Sequence, residues 1–463
     1  MQCAGKHSRS PFVIHMRLTE VAAEIRAEMI GDDVAFHGCT TDSRSVEPGQ
    51  LFIALRGKRF DGHDFINQAV AGGAVAIMGE QHLQDCIVPI LKVAETCSAM
   101  GALAAYWRHR FAIPVIAITG SNGKTTVKEM LNRILSLSAP VLSTRGNLNN
   151  EIGVPMTLFR LGEKHRYAVI EIGANAPGEI LGLSKMVRPT VALITQCAPA
   201  HLEGFGSIES VARAKAEIYA GLPDTGTAII NMDDRYAPLF QEATRHLRKI
   251  LFGTTRLADV RFEDLRIDPD TGANVFKMIA WEESTETHLA LAGRHNVLNA
   301  LAAAACCLAL DISLDCIRSG LEVMQPVPGR LQSKTGIRGT RIYDDTYNAN
   351  PGSLEAALQT LGALRGRNWL VLGDMAELGT DTPAYHLEAG EKARLYGFEK
   401  LYAVGRNSVQ AVRGFGNGAL HFDSQEELVR TVREQLPEGA RVLVKGSRSM
   451  AMERIVAGLV QED

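Results

Sequence analysis

The sequence lacks any long apolar run. No stretch reaches the roughly 18 consecutive apolar residues that a membrane-spanning helix requires, so we expect no insertion into a bilayer. Residues 1–15 carry basic side chains but no apolar segment of the kind found in signal peptides. We expect them to be a flexible leader, with Met16, which opens MRLTEVAAEI, as the natural beginning of the chain.

Paired or clustered cysteines are also missing. The eight cysteines form no C-x-x-C pair and show no zinc-site spacing. Cys306 and Cys307 fall in an alanine-rich helical run, which is typical of small buried side chains. Free thiols fit a reducing cytoplasm, where we expect the protein to be. No long apolar surface helix points to a large obligate interface, so we expect a monomer.

An excess of positive charge is absent as well. The formal net charge is -3 at pH 7, whereas dedicated nucleic-acid binders are strongly basic. This balance disfavours a nucleic-acid motor and leaves small molecules as the expected partners. Any anionic substrate must therefore be held by local groups.

What is present is the pattern of a multidomain α/β protein. The 463 residues exceed what a single hydrophobic core usually supports. Three stretches differ in pattern: 16–99, 100–325 and 326–463. In the second and third, apolar β-rich runs such as VIAIT (115–119) alternate with helical segments, which predicts mainly parallel sheets covered on both faces. Residues 255–292 lack such runs and predict a meander of short strands.

The strongest local signal is the segment TGSNGKTT (119–126), which lies between a hydrophobic strand and a helical pattern. That context is typical of a phosphate-binding loop. The glycines allow backbone N–H groups to point at phosphate oxygens, and the following helix adds its positive dipole end. Lys124 can reach the β and γ phosphates, and Thr125 offers a hydroxyl to Mg²⁺. The predicted ATP-binding residues of the loop are Gly120, Ser121, Asn122, Gly123, Lys124, Thr125 and Thr126.

Two further polar residues follow apolar strands of the same stretch. Glu171 lies near the end of YAVIEIG, where a buried carboxylate needs a cation or hydrogen bonds to compensate its charge. His201 follows TVALITQC, and because parallel strands end at one edge of a sheet, the two side chains could meet there. Both are candidate Mg²⁺ ligands, although either could instead be a hydrogen-bonded structural residue. Lys215, on a helical segment, has the pattern of an ordinary solvated lysine.

Motifs from Met16 to the C-terminus resemble those of the Mur ligases of peptidoglycan synthesis. The segments that carry the resemblance are TDSR (41–44), LFIALRGKRFDGHDF (51–65), TGSNGKTT (119–126), GNLNNEIGVPMTL (146–158), VIEIGANAPGEI (169–180), AHLEGFGS (200–207), AKAEI (214–218), GRHNVLNALAAAA (293–305), VPGR (327–330), DDTYNANP (344–351), LGDMAELG (372–379) and KGSRSM (445–450). A GKTT loop alone occurs in many P-loop proteins. The GNLNN and DMAELG segments point to the branch of the family that adds a dipeptide.

The resemblance implies an α/β protein of three domains with the boundaries given above. A small N-terminal domain would bind the uridine nucleotide, a central P-loop domain with a mainly parallel sheet would bind ATP, and a C-terminal Rossmann-like domain would close over ATP and the amine. The implied activity is an ATP- and Mg²⁺-dependent joining of D-alanyl-D-alanine to a UDP-N-acetylmuramoyl tripeptide through an acyl phosphate. Such an enzyme would supply the cell wall from the cytoplasm and so contribute to cell shape and division.

The same resemblance implies roles for individual residues. Lys215 matches a lysine that the family carries as a carbamate, which would bind Mg²⁺. The implied metal ligands are Thr125, Glu171, His201 and Lys215. The implied catalytic residues are Lys124, Lys215, His201 and Arg330. The implied nucleotide contacts outside the loop are Asn296 and Asn299 for adenine, Arg330 for the γ-phosphate and Asp345 for ribose. The implied substrate-binding residues are Ser43, Arg44, Asn147, Asn149, Asn150 and Asn350. Other members often carry a basic residue shortly after the position of Asp345, where this chain has Tyr347.

Three other interpretations compete with this one. A sister ligase would add a single amino acid to the muramoyl chain, or glutamate to folate, but TDSR favours a uridine nucleotide and GNLNN favours dipeptide addition. A P-loop switch protein that reads guanine would need an N-K-x-D segment, which the sequence lacks. The segment could also be a Gly-rich turn that merely carries a lysine. The strand before it, the helix after it and the letters GKTT favour a phosphate-binding loop instead.

Overall fold

The computed structural model describes residues 14–57, 60–80, 86–199 and 202–461. These residues form three α/β units, each built around its own sheet, together with a two-stranded ribbon. The α/β fold class predicted from the sequence is therefore confirmed. In the described ranges, no helix has both the length and the apolar character needed to cross a bilayer.

The N-terminal unit contains the ribbon and a five-stranded sheet. Its strands are β1 (His15–Arg17), β2 (Glu28–Ile30), β3 (Ala35–His37), β4 (Cys39–Thr40), β5 (Leu51–Ile53), β6 (Ala76–Gly79) and β7 (Ile90–Lys92). Strands β1 and β3 form the antiparallel ribbon, and the others lie in the order β2-β7-β6-β5-β4. Its helices are α1 (Leu18–Ile25), a 3₁₀ turn (Gly62–Phe65) and α2 (Ile66–Ala71).

Ile14 and His15 belong to this unit and not to a leader. Ile14 is fully buried, its N–H donates to the Phe159 carbonyl at 2.8 Å, and its carbonyl accepts from Gly38 at 2.7 Å. His15 pairs with His37 in the ribbon. The prediction of a flexible leader over residues 1–15 is wrong for these two residues, because one fills the core and the other extends a strand. Residues 1–13 lie outside the described part of the chain.

The central unit is built on a nine-stranded sheet. Its strands are β8 (Val115–Thr119), β9 (Val141–Ser143), β10 (Tyr167–Glu171), β11 (Val191–Ile194), β12 (Thr227–Asn231), β13 (Arg248–Phe252), β14 (Val260–Ile267), β15 (Asn274–Ala280) and β16 (Glu283–Leu289). Their order is β16-β15-β14-β13-β12-β11-β8-β10-β9. Read across the sheet, the seven strands from β9 through β8 to β14 are parallel. Strands β14, β15 and β16 form the predicted meander.

Helices cover both faces of this sheet. They are α3 (Thr96–His109), α4 (Lys124–Ser136), α5 (Gly153–Leu158), α6 (Glu179–Val187), α7 (Leu202–Phe205), α8 (Ile208–Ala216), a 3₁₀ turn (Glu217–Gly221), α9 (Ala237–Ala243), α10 (Arg294–Leu308) and α11 (Leu314–Glu322). In β8, Val115 and Ala117 pack into one apolar cluster and Ile116 and Ile118 into the other. Burial on both faces explains why this strand is a continuous apolar run.

The phosphate loop lies where the chain changes direction in the sheet. After β8 the chain builds β9 and β10 on one side, then crosses β8 to place β11 on its other side. Ligand crevices of open α/β sheets form at the carboxyl ends of strands at such a crossing. The loop that follows β8 therefore opens into the natural crevice of this unit.

Helix α3 affects where the first domain boundary can lie. The boundary predicted between residues 99 and 100 falls inside this continuous helix, in which Met100 is fully buried. Its Trp107 indole N–H donates to the Leu161 carbonyl at 3.0 Å, and Arg108 donates to the Val187 carbonyl at 3.0 Å. Because α3 packs on the central unit, we propose that the boundary lies before Thr96. The boundary near residue 325 stays a proposal, in the segment that follows α11.

The C-terminal unit is a six-stranded sheet with helices on both faces. Its strands are β17 (Gln332–Thr335), β18 (Arg341–Asp345), β19 (Asn368–Gly373), β20 (Phe398–Val404), β21 (Ala419–Phe422) and β22 (Arg441–Lys445), in the order β17-β18-β22-β19-β20-β21. All pairs are parallel except β17 with β18. Its helices are a 3₁₀ turn (Ile337–Gly339), α12 (Pro351–Gly362), a 3₁₀ turn (Gly379–Asp381), α13 (Thr382–Leu395), α14 (Val409–Phe415), α15 (Gln425–Gln435), a 3₁₀ turn (Arg448–Met450) and α16 (Glu453–Leu459).

Candidate active site

The phosphate loop is shaped by its two glycines and by bonds to the neighbouring strand. Gly120 has φ +149° and Gly123 has φ +84°, conformations that other residues rarely adopt. A β-carbon on Gly120 would overlap the Thr195 hydroxyl, which donates to the Asn122 carbonyl at 2.5 Å. The Ser121 N–H donates to a carbonyl just beyond β11 at 2.8 Å. The protein itself therefore fixes the backbone of the loop.

Lys124 opens α4 and turns back over the loop. Its Nζ donates to the Gly120 carbonyl at 2.7 Å. Burial lowers the pKa of this amine, while the nearby carboxylate of Glu171 opposes the change. An ammonium held at the mouth of a phosphate loop can exchange the carbonyl for phosphate oxygens. The predicted contact with the nucleotide phosphates is thus geometrically available.

Glu171 is the centre of a buried polar cluster. It is 3% exposed at the end of β10, and its Oε2 accepts from the Thr125 hydroxyl at 3.0 Å. Its Oε1 accepts from the Asn149 amide at 2.9 Å, and its own N–H donates to the Thr144 hydroxyl at 3.0 Å. The structure therefore brings Glu171 and Thr125, two of the four predicted metal ligands, into direct contact.

Arg330 reaches this cluster from the chain that leads into the C-terminal unit. Its Nη2 donates to the Thr125 hydroxyl at 3.2 Å. Its guanidinium lies over the Tyr347 ring, 4.2 Å from the ring centre, and its Nε is buried without a partner in the described chain. A guanidinium that stacks on a ring and still has an N–H without a hydrogen-bond partner can bind an anion. Arg330 therefore lies beside the phosphate loop, as the family resemblance implied.

Lys215 is buried, unlike an ordinary lysine on a helix. It lies in the last turn of α8 and is 5% exposed. Burial, and next the charge of Lys124, lower the pKa of its amine to about 7. The Cys197 thiol and the Asp234 carboxylate only partly offset this change. Such an amine is partly uncharged at neutral pH, which makes it a nucleophile.

A cleft of about 900 Å³, counting the part open to solvent, separates the central and C-terminal units. Its walls include the loop residues Asn122, Gly123 and Thr126, the helix residues Asn296 and Asn299, and Arg330, Asp345 and Lys445. Asn296 is 7% exposed and donates to the Ala292 carbonyl at 2.8 Å, while Asn299 donates to the Asn296 side chain at 3.0 Å. Seven of the eleven residues predicted for the nucleotide therefore line this one cleft.

The residues predicted for the uridine nucleotide lie elsewhere, in the N-terminal unit. The Ser43 hydroxyl donates to the Gln68 side chain at 2.9 Å. Arg44 is exposed and forms a salt bridge with Asp42 at 2.8 Å. Neither residue lines the cleft. Their predicted role stays a prediction.

The asparagines predicted to bind substrate have different surroundings. Asn149 contacts Glu171 directly, and Asn147 is exposed in the same loop. The Asn150 side chain accepts from the N–H of Gly153 at 2.9 Å, at the beginning of α5. Asn350 caps α12 and exchanges two amide hydrogen bonds with Asn122 of the phosphate loop, at 2.8 and 3.3 Å. In this arrangement Asn350 links two units, a contact that the sequence did not suggest.

His201, the remaining predicted metal ligand and catalytic residue, lies outside the described residues. The sequence interpretation also missed three side chains of the site: Thr144, Thr195 and Lys445. Thr144 follows β9, Thr195 follows β11, and Lys445 ends β22. The rule that selected Glu171, a polar residue at the carboxyl end of an apolar strand, would have selected all three.

Family models match most of the chain. Residues 35–108 match the model described as Mur ligase family, catalytic domain, residues 118–307 match the Mur ligase middle domain, and residues 329–448 match the model described as Mur ligase, glutamate ligase domain. These three ranges come in the same order as the three units of the fold, although the first of them includes most of α3, which packs on the central unit.

Relatives along the whole length are ligases. The chain is 42% identical over 449 residues to UDP-N-acetylmuramoyl-tripeptide--D-alanyl-D-alanine ligase of Escherichia coli, covering 96% of this chain and 99% of the relative. The enzyme of the same name from Bacillus subtilis is 34% identical, covering 93% and 94%.

Solved structures agree in fold. A crystal structure of MurF from Acinetobacter baumannii superposes with a TM-score of 0.91 at 38% identity, covering 96% of this chain and 98% of that one. MurF from Thermotoga maritima in complex with ADP gives a TM-score of 0.83 at 29% identity, covering 91% and 96%. A folylpolyglutamate synthase from Mycobacterium tuberculosis shares the fold alone, at 16% identity, a TM-score of 0.63 and coverage of 79% and 95%.

Proposed function

Because this chain belongs to the Mur ligase family, we propose that it joins D-alanyl-D-alanine to a UDP-N-acetylmuramoyl tripeptide, with conversion of ATP to ADP and phosphate. The observation that carries this proposal is a meeting of three groups at one cleft. The phosphate loop, Glu171 and Arg330 come from distant parts of the chain, yet Thr125 of the loop bonds to both of the others, beside the cleft that the loop and Arg330 line. Relatives that are named for this activity, and that align with nearly the whole chain, support the proposal.

The first step would be phosphoryl transfer to the tripeptide carboxylate. The carboxylate oxygen attacks the γ-phosphorus of ATP, the bond to the β-phosphate oxygen breaks, and an acyl phosphate and ADP form. Such a transfer needs positioning and neutralisation of charge more than covalent help. The loop N–H groups and Lys124 would hold the β and γ phosphates, and Arg330 would neutralise charge that develops on the transferred group.

The second step would be attack by the amine of the dipeptide. Its nitrogen adds to the acyl carbon, phosphate leaves, and a peptide bond remains. Water would destroy the acyl phosphate, so the site must be closed while it exists. The C-terminal unit lies against the phosphate loop through Asn350, which supports a role for that unit in closure.

A magnesium ion fits the oxygen groups near the phosphate loop. Mg²⁺ prefers oxygen ligands and usually keeps several waters beside one or two carboxylates and substrate phosphates. The Thr125 hydroxyl and the Glu171 carboxylate offer two such oxygens within 3.0 Å of each other. Within the described ranges, no group of three or more histidine, cysteine or acidic side chains forms a metal site. When bound, the ion would neutralise the β and γ phosphates, with His201 as a further candidate ligand.

Carbamylation of Lys215 would complete this oxygen set. An uncharged amine can add to carbon dioxide, with loss of one proton, to give a carbamate anion. The burial of Lys215 and its pKa of about 7 supply the uncharged amine at neutral pH. The modification would also remove the repulsion between two buried cations, Lys215 and Lys124. We therefore propose that the working enzyme carries this carbamate and uses it as a metal ligand.

The other predicted contacts complete the proposal. Asn296 and Asn299 would bind adenine and Asp345 ribose, while Asn147, Asn149 and Asn150 would face the peptide of the substrate. Ser43 and Arg44 would bind the uridine nucleotide from the N-terminal unit. We propose that the enzyme works as a monomer in the cytoplasm, in synthesis of the cell-wall precursor that cell shape and division require.

The decisive experiment is to measure phosphate release from ATP with the UDP-linked tripeptide present, with and without D-alanyl-D-alanine. We expect release that needs both substrates, and a product heavier by one dipeptide in mass spectrometry. Release with single amino acids, and not with the dipeptide, would instead identify a sister ligase. No release with any pair would leave only nucleotide binding.

Substitution of Lys124 tests the role of the loop in the same assay. Lys124→Met removes the charge while keeping most of the side-chain volume, so we expect a folded protein with phosphate release reduced at least a hundredfold. Lys185→Met is the control, because Lys185 is an exposed lysine of α6 and does not line the cleft. Turnover near the unsubstituted level in Lys124→Met would remove the assignment of the loop.

A further inference from the structure

A buried ion pair lies on the C-terminal wall of the cleft. Lys445 ends β22 and is 1% exposed, and its Nζ donates to Asp345 Oδ2 at 2.5 Å and to the Asn348 carbonyl at 3.0 Å. Asp345 is 7% exposed at the end of β18. The two residues are register partners in neighbouring parallel strands, so their side chains leave the sheet on the same face. The fold thus brings this pair together at a strand end.

The carboxylate of Asp345 is held from two sides. Its Oδ1 accepts from the N–H of Leu331 at 3.1 Å, and its Oδ2 from Lys445. A carboxylate has about four acceptor positions, so these bonds fix its orientation and leave acceptor capacity. Asp345 and Lys445 both line the cleft that contains the phosphate loop. The remaining acceptor capacity is therefore available to a hydroxyl-bearing part of a nucleotide.

Stability alone does not account for this pair. Burial lowers the pKa of the Lys445 amine, and the Asp345 carboxylate opposes that change. Charges removed from water lose much of what their attraction gains, and apolar replacements of buried pairs are often neutral for stability. Strands β18 and β22 are already joined by their backbone ladder. A buried pair at the ligand cleft is better explained by what it does to the ligand.

We propose that Lys445 is a positioning residue that aims the Asp345 carboxylate at the ribose hydroxyls of the bound nucleotide. It thereby makes the enzyme select a nucleotide with an intact ribose. This inference rests on the proposed use of ATP and adds a residue that sets sugar specificity. Lys445 acts through Asp345, and the phosphate loop that holds the triphosphate lies on the other wall of the cleft. Loss of Lys445 should therefore affect recognition of the sugar more than the rate of phosphoryl transfer.

The chain contains a matched control. Lys334 on β17 forms a salt bridge at 2.7 Å with Asp344, the residue before Asp345. Successive residues of a strand point to opposite faces of the sheet, and neither Lys334 nor Asp344 lines the cleft. Lys334→Met therefore breaks a Lys–Asp pair whose aspartate lies on the same strand as Asp345, and it leaves the cleft unchanged.

The experiment measures kcat and KM of the full-length enzyme for ATP, 2′-deoxy-ATP and 3′-deoxy-ATP, with both other substrates saturating. We expect the unsubstituted enzyme to prefer ATP over at least one deoxy analogue by about tenfold or more, as for a hydrogen bond to a charged group. In Lys445→Met this preference should fall towards one, mainly through KM for ATP. In Lys334→Met it should stay at the unsubstituted value.

Several results would overturn the inference. A folded Lys445→Met enzyme that still discriminates fully between ATP and the deoxy analogues would show that the pair only joins strands β18 and β22. An unsubstituted enzyme that turns over ATP and both analogues equally would also refute it, while leaving the proposed ligase function intact. No turnover of any nucleotide would refute the proposed function itself. If Lys445→Met does not fold, Lys445→Arg keeps the buried charge but moves it, and unchanged discrimination in that variant would count against the inference.

Discussion

At the scale of the residue, the site depends on charges that the fold has removed from water. Glu171 receives hydrogen bonds from Thr125 and Asn149, which compensate its burial. The cost of burying the Lys215 charge is relieved differently, because burial lowers the pKa of this amine to about 7 and makes its uncharged form accessible at neutral pH. The sequence could not reveal this difference, since one lysine in a helical pattern carries no sign of burial. It was the family resemblance that selected Lys215.

Substitution of Lys215 tests the carbamate directly. We expect Lys215→Ala to reduce phosphate release at least a hundredfold, because the space left by the side chain lacks the anion that would bind Mg²⁺. Small carboxylic acids such as acetate should restore part of the activity by supplying an oxygen anion in that space. Lys185→Ala, at an exposed lysine of α6, should keep full activity and show no response to acetate. A Lys215→Ala enzyme with full activity in the absence of acid would rule out the carbamate.

Gly120 is a second position where one atom matters. Gly120→Ala places a β-carbon against the Thr195 hydroxyl at a φ of +149°, so the loop must move. We expect ADP affinity, measured by calorimetry, to fall at least tenfold. Gly178→Ala is the matched control, because Gly178 also has a positive φ, +86°, but open space beside it. That variant should lose about 1 kcal/mol of stability and keep its ADP affinity. Equal ADP affinity in both variants would contradict the argument.

At the scale of the element, apolar runs predicted the sheets well. Strands β8, β10, β11 and β12 and the meander at residues 260–289 were expected from pattern alone, because buried parallel strands leave continuous apolar segments. Strands β9 and β13 were not predicted. Pattern did not reveal that α3 is continuous across residue 99, since an amphipathic helix looks the same whichever unit it packs on. Pairings between distant segments, such as Asn122 with Asn350 and Lys445 with Asp345, are properties of the folded chain and have no local signal.

The loop between β19 and α13 depends on a buried histidine. His386 in α13 is fully buried, its Nε2 accepts from the Met375 N–H at 3.0 Å, and its Nδ1 lies 2.8 Å from the Thr382 carbonyl. A neutral ring with its proton on Nδ1 satisfies both contacts. Burial is the main cause that lowers the pKa of this ring below its ordinary value of 6.5. Protonation would break the bond that holds the loop.

The sign of the resulting pH dependence follows from proton binding. Below about pH 6.5 the unfolded chain binds a proton at His386 that the folded chain still excludes, so stability falls as pH falls through this range. We expect His386→Gln to be less stable at pH 7.5 by about 1–3 kcal/mol, through loss of a buried hydrogen bond, and to show a shallower decline between about pH 6.5 and 5. Urea unfolding at a series of pH values measures both. His246→Gln, at an exposed histidine, should reproduce the unsubstituted profile, and an equally steep decline in His386→Gln would refute the assignment.

At the scale of the whole molecule, the three units are joined by direct contacts, and the cleft lies between two of them. Ile14 and α3 attach the N-terminal part of the chain to the central unit. Contacts of the C-terminal unit with the central unit include one near the meander, where Arg441 donates to the Asp270 carbonyl at 3.4 Å, and one at the phosphate loop. The second contact matters more for function, because it connects the nucleotide site to the unit that we propose to close over the amine.

The paired amides of Asn122 and Asn350 should therefore couple the loop to closure of the C-terminal unit. Asn122→Ala removes both interdomain hydrogen bonds but leaves the cap of α12, so we expect KM for D-alanyl-D-alanine to rise about threefold to thirtyfold, as for two partly exposed bonds. Asn350→Ala should raise KM equally and also cost about 1 kcal/mol of stability, because it removes the cap. The double variant should have the KM of either single variant, and small-angle X-ray scattering of the nucleotide complex should report a larger radius of gyration in all three. Additive changes in KM with an unchanged radius of gyration would mean that the two amides act separately and that closure depends on other contacts.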